Sequence, residues 1–225
     1  MMEGGSQITK IDLPIINFTN IGQGGKARAT EAEKLIDAFT QVGFCLISNV
    51  PDYHQDQIFE AIKFFYYGTT SEERLDQLAT KSFNRKNDNL YRGLFPLIPG
   101  KLSFKEGYDM GPLNRGQETP EERAERLKNV FYGDTPKLHF PQEPERQSKV
   151  EQFYKVMEHH YGVLDKAAYT MMQLIAEAGQ AHSDYFAKTF EPYANNTYRL
   201  IMYPNREIKD IPKGAFLQDG RSRSY

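Results

Sequence analysis

The chain has 225 residues, enough for one large domain or two small ones with a substantial core, and its 28 Lys and Arg nearly balance 30 Asp and Glu for a formal charge of −2. Basic residues scattered along the chain argue against a nucleic-acid partner, and the single cysteine excludes an internal disulfide framework and a cysteine zinc cluster. No apolar run approaches the ~18 residues of a membrane span, residues 1–30 hold no leader pattern, and 15 Phe with 14 Tyr indicate a filled core, so the sequence reads as a soluble cytoplasmic protein.

LPIINF (13–18) is a short apolar run that reads as a strand ended by the glycines of GQGG. From Thr30 to Val42 the residues Ala32, Leu35, Ile36, Phe39 and Val42 recur at helical spacing, and Gly43 stands where a C-terminal cap belongs. FCLISNV (44–50) reads as a buried strand closed by Pro51, which completes a β-α-β opening. A helix is expected over Gln57 to Tyr67, and Thr70 with Glu73 forms a capping box for a third, short one. Residues 84–100 read as loop, and FKEGYDMG (104–111) as a strand.

Thr119-Pro120-Glu121-Glu122 combines an N-cap, a proline at the first helical position and an acidic first turn, so a helix with a solvated charged face should start there. An apolar stripe from Val150 through Met157, Leu164, Ala168 and Leu174 to Ala178 predicts a long helix over Pro144 to Ala178, stopped by Gly179. After a helical piece around Ser183 to Phe190, the strand in NNTYRLIMYP turns Tyr198, Leu200 and Met202 one way and Arg199, Ile201 and Tyr203 the other. The tail from Asn205 is polar, with one apolar island, GAFL.

AHSDYF (181–186) contains His182-x-Asp184, a spacing that supplies two of three ligands in the 2-His-1-carboxylate site of non-haem iron(II) oxygenases. No histidine follows His182, so that triad cannot close, and His182-Ser183-Asp184 is expected to lie on the surface or cap a helix instead, with Ser183 or Asp184 capping the next helical piece. His159 and His160 are adjacent and diverge by about a hundred degrees on a helix, which suits a solvated face rather than one ion. His54 and His139 stand alone in loop sequence, and Cys45 reads as a small core residue without a basic neighbour to activate it. Arg92 in YRG, with Glu106 and Asp109, is expected to brace loop and strand, with Gly93 and Gly107 allowing close backbone approach.

Taken in order, LPIINF, QVGFCLISNV, YRG, KEGYDMG and NNTYRLIMYP resemble the isopenicillin N synthase-like iron(II)- and 2-oxoglutarate-dependent oxygenases over about Ile11 to Pro204, with Asn17 where many relatives carry Asp. The resemblance implies an α+β fold: a non-haem dioxygenase N-terminal domain over 11–130 packed on a double-stranded β-helix (jelly roll), of which 131–225 would hold a long helix and the first strands. In relatives the His-x-Asp of the iron site follows the Tyr-Pro strand, so AHSDYF stands on the wrong side of it. An Arg-x-Ser pair that anchors 2-oxoglutarate comes later still and is not matched by Arg221-Ser222 or Arg223-Ser224. Tyr203 matches a tyrosine that contacts the 2-oxoglutarate co-substrate in several relatives, although Ile201 stands where an Asn is common.

The resemblance thus implies an incomplete jelly roll, cut before the iron site, in a family that oxidises small organic molecules with iron(II) and 2-oxoglutarate. This chain alone is expected to bind neither iron nor co-substrate, to be marginally stable, and to self-associate through an exposed strand edge. The alternative is a non-catalytic relative that acts as a binding module.

Overall fold

The computed structural model describes residues 13–113, 116, 118–190, 195–207, 209 and 211. They form two compact units, one drawn from Met1–Tyr53 with Val163–Pro192 and the other from His54–Gly162 with Tyr193–Tyr225.

In the first unit, strand β1 (Ile15–Asn17) pairs in parallel with β2 (Leu46–Ser48), Ile16 opposite Ile47, and α2 (Gly25–Asp37) lies between them in sequence, as the β-α-β reading expects. A short helix absent from that reading, α1 (Phe18–Gln23), begins directly after β1. Its cause is local: Asn17 Oδ1 accepts the Thr19 N–H at 2.9 Å, so Asn17 serves as an N-cap. α2 does not stop at Asp37 but widens into a π-helical turn over Ala38–Val42, where the Gly43 N–H reaches the Ala38 carbonyl, and Gly43 then caps it with φ +83°.

Ile16, Phe18, Ile21, Ala32, Leu35, Ala167 and Leu174 form the core of this unit, with half-buried Cys45 packed against it. That is the place expected for a small core residue, and burial pushes the Cys45 thiol pKa up, away from reactivity. Buried Glu31 ties the unit together. Burial alone would raise its pKa, but hydrogen bonds from the Asn20 amide, the Asn17 N–H and Lys34 outweigh that and hold it below the usual carboxylate range. FCLISNV, by contrast, is not a buried strand: Phe44 is 71% exposed and Leu46 50%.

The second unit is built on α3 (Gln55–Tyr67), α4 (Ser71–Leu78) and the antiparallel sheet β3-β4-β5, formed by Gly93–Phe95, Glu106–Met110 and Tyr198–Met202. β3 lies inside the segment read as loop. The expected capping box of Thr70 with Glu73 forms on α4, and the expected N-cap Thr119 starts α5 (Pro120–Arg126), where Glu122 completes a second capping box. The charged face of α5 is not wholly solvated. Arg126 is buried and reaches Glu118 and Asp134, both at 2.8 Å, because a guanidinium can enter a core when carboxylates meet its donors.

The long helix α6 spans Pro144–Ala178, as expected. Val150, Phe153, Tyr154 and Met157 enter the core of the second unit, while Ala167 and Leu174 enter that of the first; the apolar stripe runs through Ala167 rather than the exposed Ala168. A 3-10 turn over Ser183–Phe190 follows.

The alternation expected of the last strand holds. Leu94, Tyr108, Met110 and Leu200 point into the core with Phe65 and Phe153, and the opposite face carries Phe95, Gly107, Arg199 and Ile201. Tyr108 donates its hydroxyl hydrogen to the Pro136 carbonyl, and the Leu138 N–H donates to the Tyr154 hydroxyl at 2.8 Å, so both buried phenols are satisfied.

Candidate functional site

Each buried charge of the sheet is partnered, though not as the sequence suggested. Arg92 does not bind Glu106 or Asp109; its guanidinium donates to the carbonyls of Asn196 at 3.0 Å and Phe131 at 3.2 Å, tying β3 to the entry of β5. Glu106 accepts from Arg74 Nε at 2.7 Å with both side chains 2% exposed. The same guanidinium donates to the Thr69 carbonyl at 2.8 Å and to those of Phe65 and Tyr66 at 3.3 Å, meeting carbonyls that the end of α3 leaves without helical partners. Asp109 is bound by both nitrogens of a fork from Arg199, directly opposite on β5.

Close backbone approach is required at Gly93, where φ is +133° and a Cβ would lie 2.4 Å from the Leu78 carbonyl oxygen. Gly107 has no such constraint, its nearest would-be neighbour being 3.7 Å away; the tight position is Gly111, where a Cβ would meet the Arg92 guanidinium carbon at 2.3 Å.

The outer face of this sheet floors a cleft of about 590 Å³. Phe95, Gly107 and Ile201 lie side by side in register across β3, β4 and β5, so the missing side chain of Gly107 leaves a notch between a ring and a branched aliphatic. Lys101, Lys105, Arg199 and Ser103 give it a polar lining, and among the described residues no carboxylate lines it. Tyr203, two residues beyond Ile201, is 47% exposed and so is not a core tyrosine.

The histidines fall only in part as expected, the surface placement of His182 among the expectations met. His182 and Asp184 lie on one exposed turn, with side chains 80% and 61% accessible. The cap of the 3-10 turn is His182 itself rather than Ser183 or Asp184, its Nδ1 accepting the Asp184 N–H at 3.2 Å. His160 is buried instead of solvated, and His54, directly before α3, stacks on His159 at 5.9 Å between ring centroids. The His159 and His160 rings stand edge to face at 5.2 Å. Desolvation first, then the neighbouring His159 and His54, lower the His160 pKa below its ordinary 6.5. His139 remains exposed in loop, as expected.

No protein-family profile matches this sequence, and no curated relative does. Solved structures do. A Neurospora crassa protein, truncated at its C-terminus and in apo form, superposes with a TM-score of 0.63 at 19% identity, over 91% of this chain and 66% of that one. The same Neurospora protein at full length, in complex with alpha-KG, gives 0.62 at 19%, over 91% of this chain and 56% of that one. The chain shares its fold with 2-oxoglutarate oxygenases. A Caulobacter crescentus protein assigned to the 2OG-Fe(II) oxygenase family extends the likeness, with a TM-score of 0.53 at 18% identity over 88% of this chain and 58% of that one. The chain thus spans between about half and two thirds of the proteins it matches.

The iron of such an oxygenase needs two imidazoles and a carboxylate converging on one point. His182 and Asp184 offer one imidazole, its Nδ1 already engaged, and one carboxylate, both turned to solvent. His54, His159 and His160 have no carboxylate among them, and among the described residues no group of three His, Cys, Asp or Glu could hold an ion. The donor set does not fit the metal. No helix among the described residues is long and apolar enough to cross a membrane.

Proposed function

We propose that these 225 residues supply the helical N-terminal region and opening sheet of an iron(II)- and 2-oxoglutarate-dependent oxygenase that oxidises a small organic substrate. In this reading the iron ligands are not among them, and 11–130 correspond to the non-haem dioxygenase N-terminal domain. The likeness to the Neurospora crassa protein across 91% of the chain carries the reading. Structures of that protein hold alpha-KG and, in one case, thymine, which supports a small-molecule substrate without naming it. In this reading Tyr203, which the sequence resemblance matches to a co-substrate tyrosine, is a co-substrate contact.

The decisive experiment compares the native protein with the 225-residue chain for iron content and for succinate release dependent on iron(II) and 2-oxoglutarate. The reading expects a native mass above 26.0 kDa, turnover by the native protein and none by the chain. Stoichiometric iron in the chain, lost in His182→Ala/Asp184→Ala, would overturn it.

A second reading, a binding module that self-associates, is favoured by one observation. β5 is an edge of the described sheet, with Ile201 41% exposed. Light scattering checks it: a concentration-dependent rise in mass that Ile201→Lys abolishes is expected, and a monomer at all concentrations refutes it.

A further inference from the structure

We propose that the cleft on the outer face of the β3-β4-β5 sheet binds a small organic anion with a flat apolar body, and does so without iron. This stands whether or not the oxygenase reading does. At about 590 Å³ the cleft has the size of a small-molecule site, and its walls are Phe83, Phe95, Ile98, Leu102 and Ile201. Phe83 and Phe95 meet edge to face with centroids 6.1 Å apart, which fixes one wall. The bare backbone at Gly107, flanked in register by Phe95 and Ile201, leaves a slot in the floor. Such a slot accepts a ring edge-on and rejects a bulky, branched body.

Charge sets the ligand's sign. Three cations line the cleft and, among the described residues, no acid does. Asp109, opposite Arg199 on the neighbouring strand, neutralises it, and the remaining net charge rests on Lys101 and Lys105, neither of them paired with a carboxylate among the described residues. The loop that carries Lys101 is pinned, because Arg206 donates to the Lys101 carbonyl at 3.0 Å and lies 4.8 Å over the Phe104 ring. Arg199 in turn lies 5.8 Å over the Phe95 ring, joining the aromatic wall to the cationic rim. An aryl carboxylate would place its ring over Gly107 and its carboxylate between the two lysines.

The test is isothermal titration of the 225-residue chain with 1-naphthoate and with neutral 1-naphthamide, in metal-free buffer with chelator. One naphthoate per chain is expected, bound about tenfold or more tightly than the amide. Lys101→Gln/Lys105→Gln, at two exposed positions, should weaken naphthoate about fivefold to tenfold and leave the amide unchanged. Gly107→Leu should fill the slot and weaken both ligands by more than about twentyfold; a Cβ there meets its nearest neighbour at an ordinary 3.7 Å and the backbone needs no left-handed φ, and circular dichroism checks that the variant folds. Equal affinity for acid and amide, or naphthoate binding indifferent to the lysine pair, would overturn the proposal. So would undiminished binding in folded Gly107→Leu.

Discussion

The two sheets of this molecule treat apolar sequence in opposite ways. In the three-stranded sheet every residue of β4 is buried, including Glu106 and Asp109, and each charge is matched by an arginine. In the two-stranded sheet an apolar run of similar length, FCLISNV, leaves Phe44, Leu46 and Ile47 open to solvent. Burial follows what covers each face: α3 and α6 pack their apolar residues on one face of the three-stranded sheet, so Leu94 and Leu200 are buried even on its edge strands, and Ile16 is buried on β1 while its register partner Ile47 is exposed.

The sharpest way to break this comparison is to unmatch a buried charge. Arg74→Met leaves the Glu106 carboxylate unpaired in the core and should cost about 3–5 kcal/mol in urea denaturation, with much of it regained in Arg74→Met/Glu106→Leu. A loss below about 1 kcal/mol in the single variant would mean that the pair is solvated. Next come matched truncations. Leu200→Ala on β5 removes a fully enclosed side chain and should cost about 2–5 kcal/mol, whereas Ile47→Ala on β2 should stay within about 1 kcal/mol. Equal losses would erase the difference between the sheets.

A smaller effect has the opposite sign. The Tyr66 hydroxyl is buried and has no hydrogen-bond partner among the described residues, so Tyr66→Phe should stabilise the protein by up to about 1 kcal/mol in the same assay. The smallest is a pH effect. A histidine whose folded pKa is lowered binds its proton more readily in the unfolded chain, so its stabilising contribution is complete above pH 6.5 and declines as pH falls below that value. Thermal midpoints measured from about pH 7.5 to 5 should therefore drop less steeply in His160→Gln than in the unaltered protein, and parallel curves would show that His160 is not responsible.

What was legible in the sequence was local. α6 was legible because its signal repeats over 35 residues, and the capping box of α4 and the N-cap of α5 because a cap needs only residues within one turn. What was not legible depends on contacts between distant residues. Arg92 meets a carbonyl 104 residues away and Arg199 a carboxylate 90 away, and nothing near YRG or KEGYDMG encodes those choices. The histidine cluster failed for the same reason, since the sequence distance between His54 and His159 hides their stacking. FCLISNV failed differently: an unbroken apolar run has no period, so it cannot report which face, or whether any face, is covered. For the candidate site, the alternation of Arg199, Ile201 and Tyr203 was readable, but the cleft was not, because its defining feature is an absent side chain on a neighbouring strand.

The π-helical turn at Ala38–Val42 holds one residue more than an α-helical turn would, and its closing bond runs from Gly43 to Ala38. The segment leading to β2 thus carries a spare link. Deleting Gln41 should let the turn relax to ordinary α-helical winding while Gly43 keeps its place, leaving the parallel register of Ile16 with Ile47 intact. The same deletion inside β2 would rotate every later side chain of the strand to the other face. The turn at Ala38–Val42 is therefore a place in this chain where one residue can be lost without shifting the strand that follows.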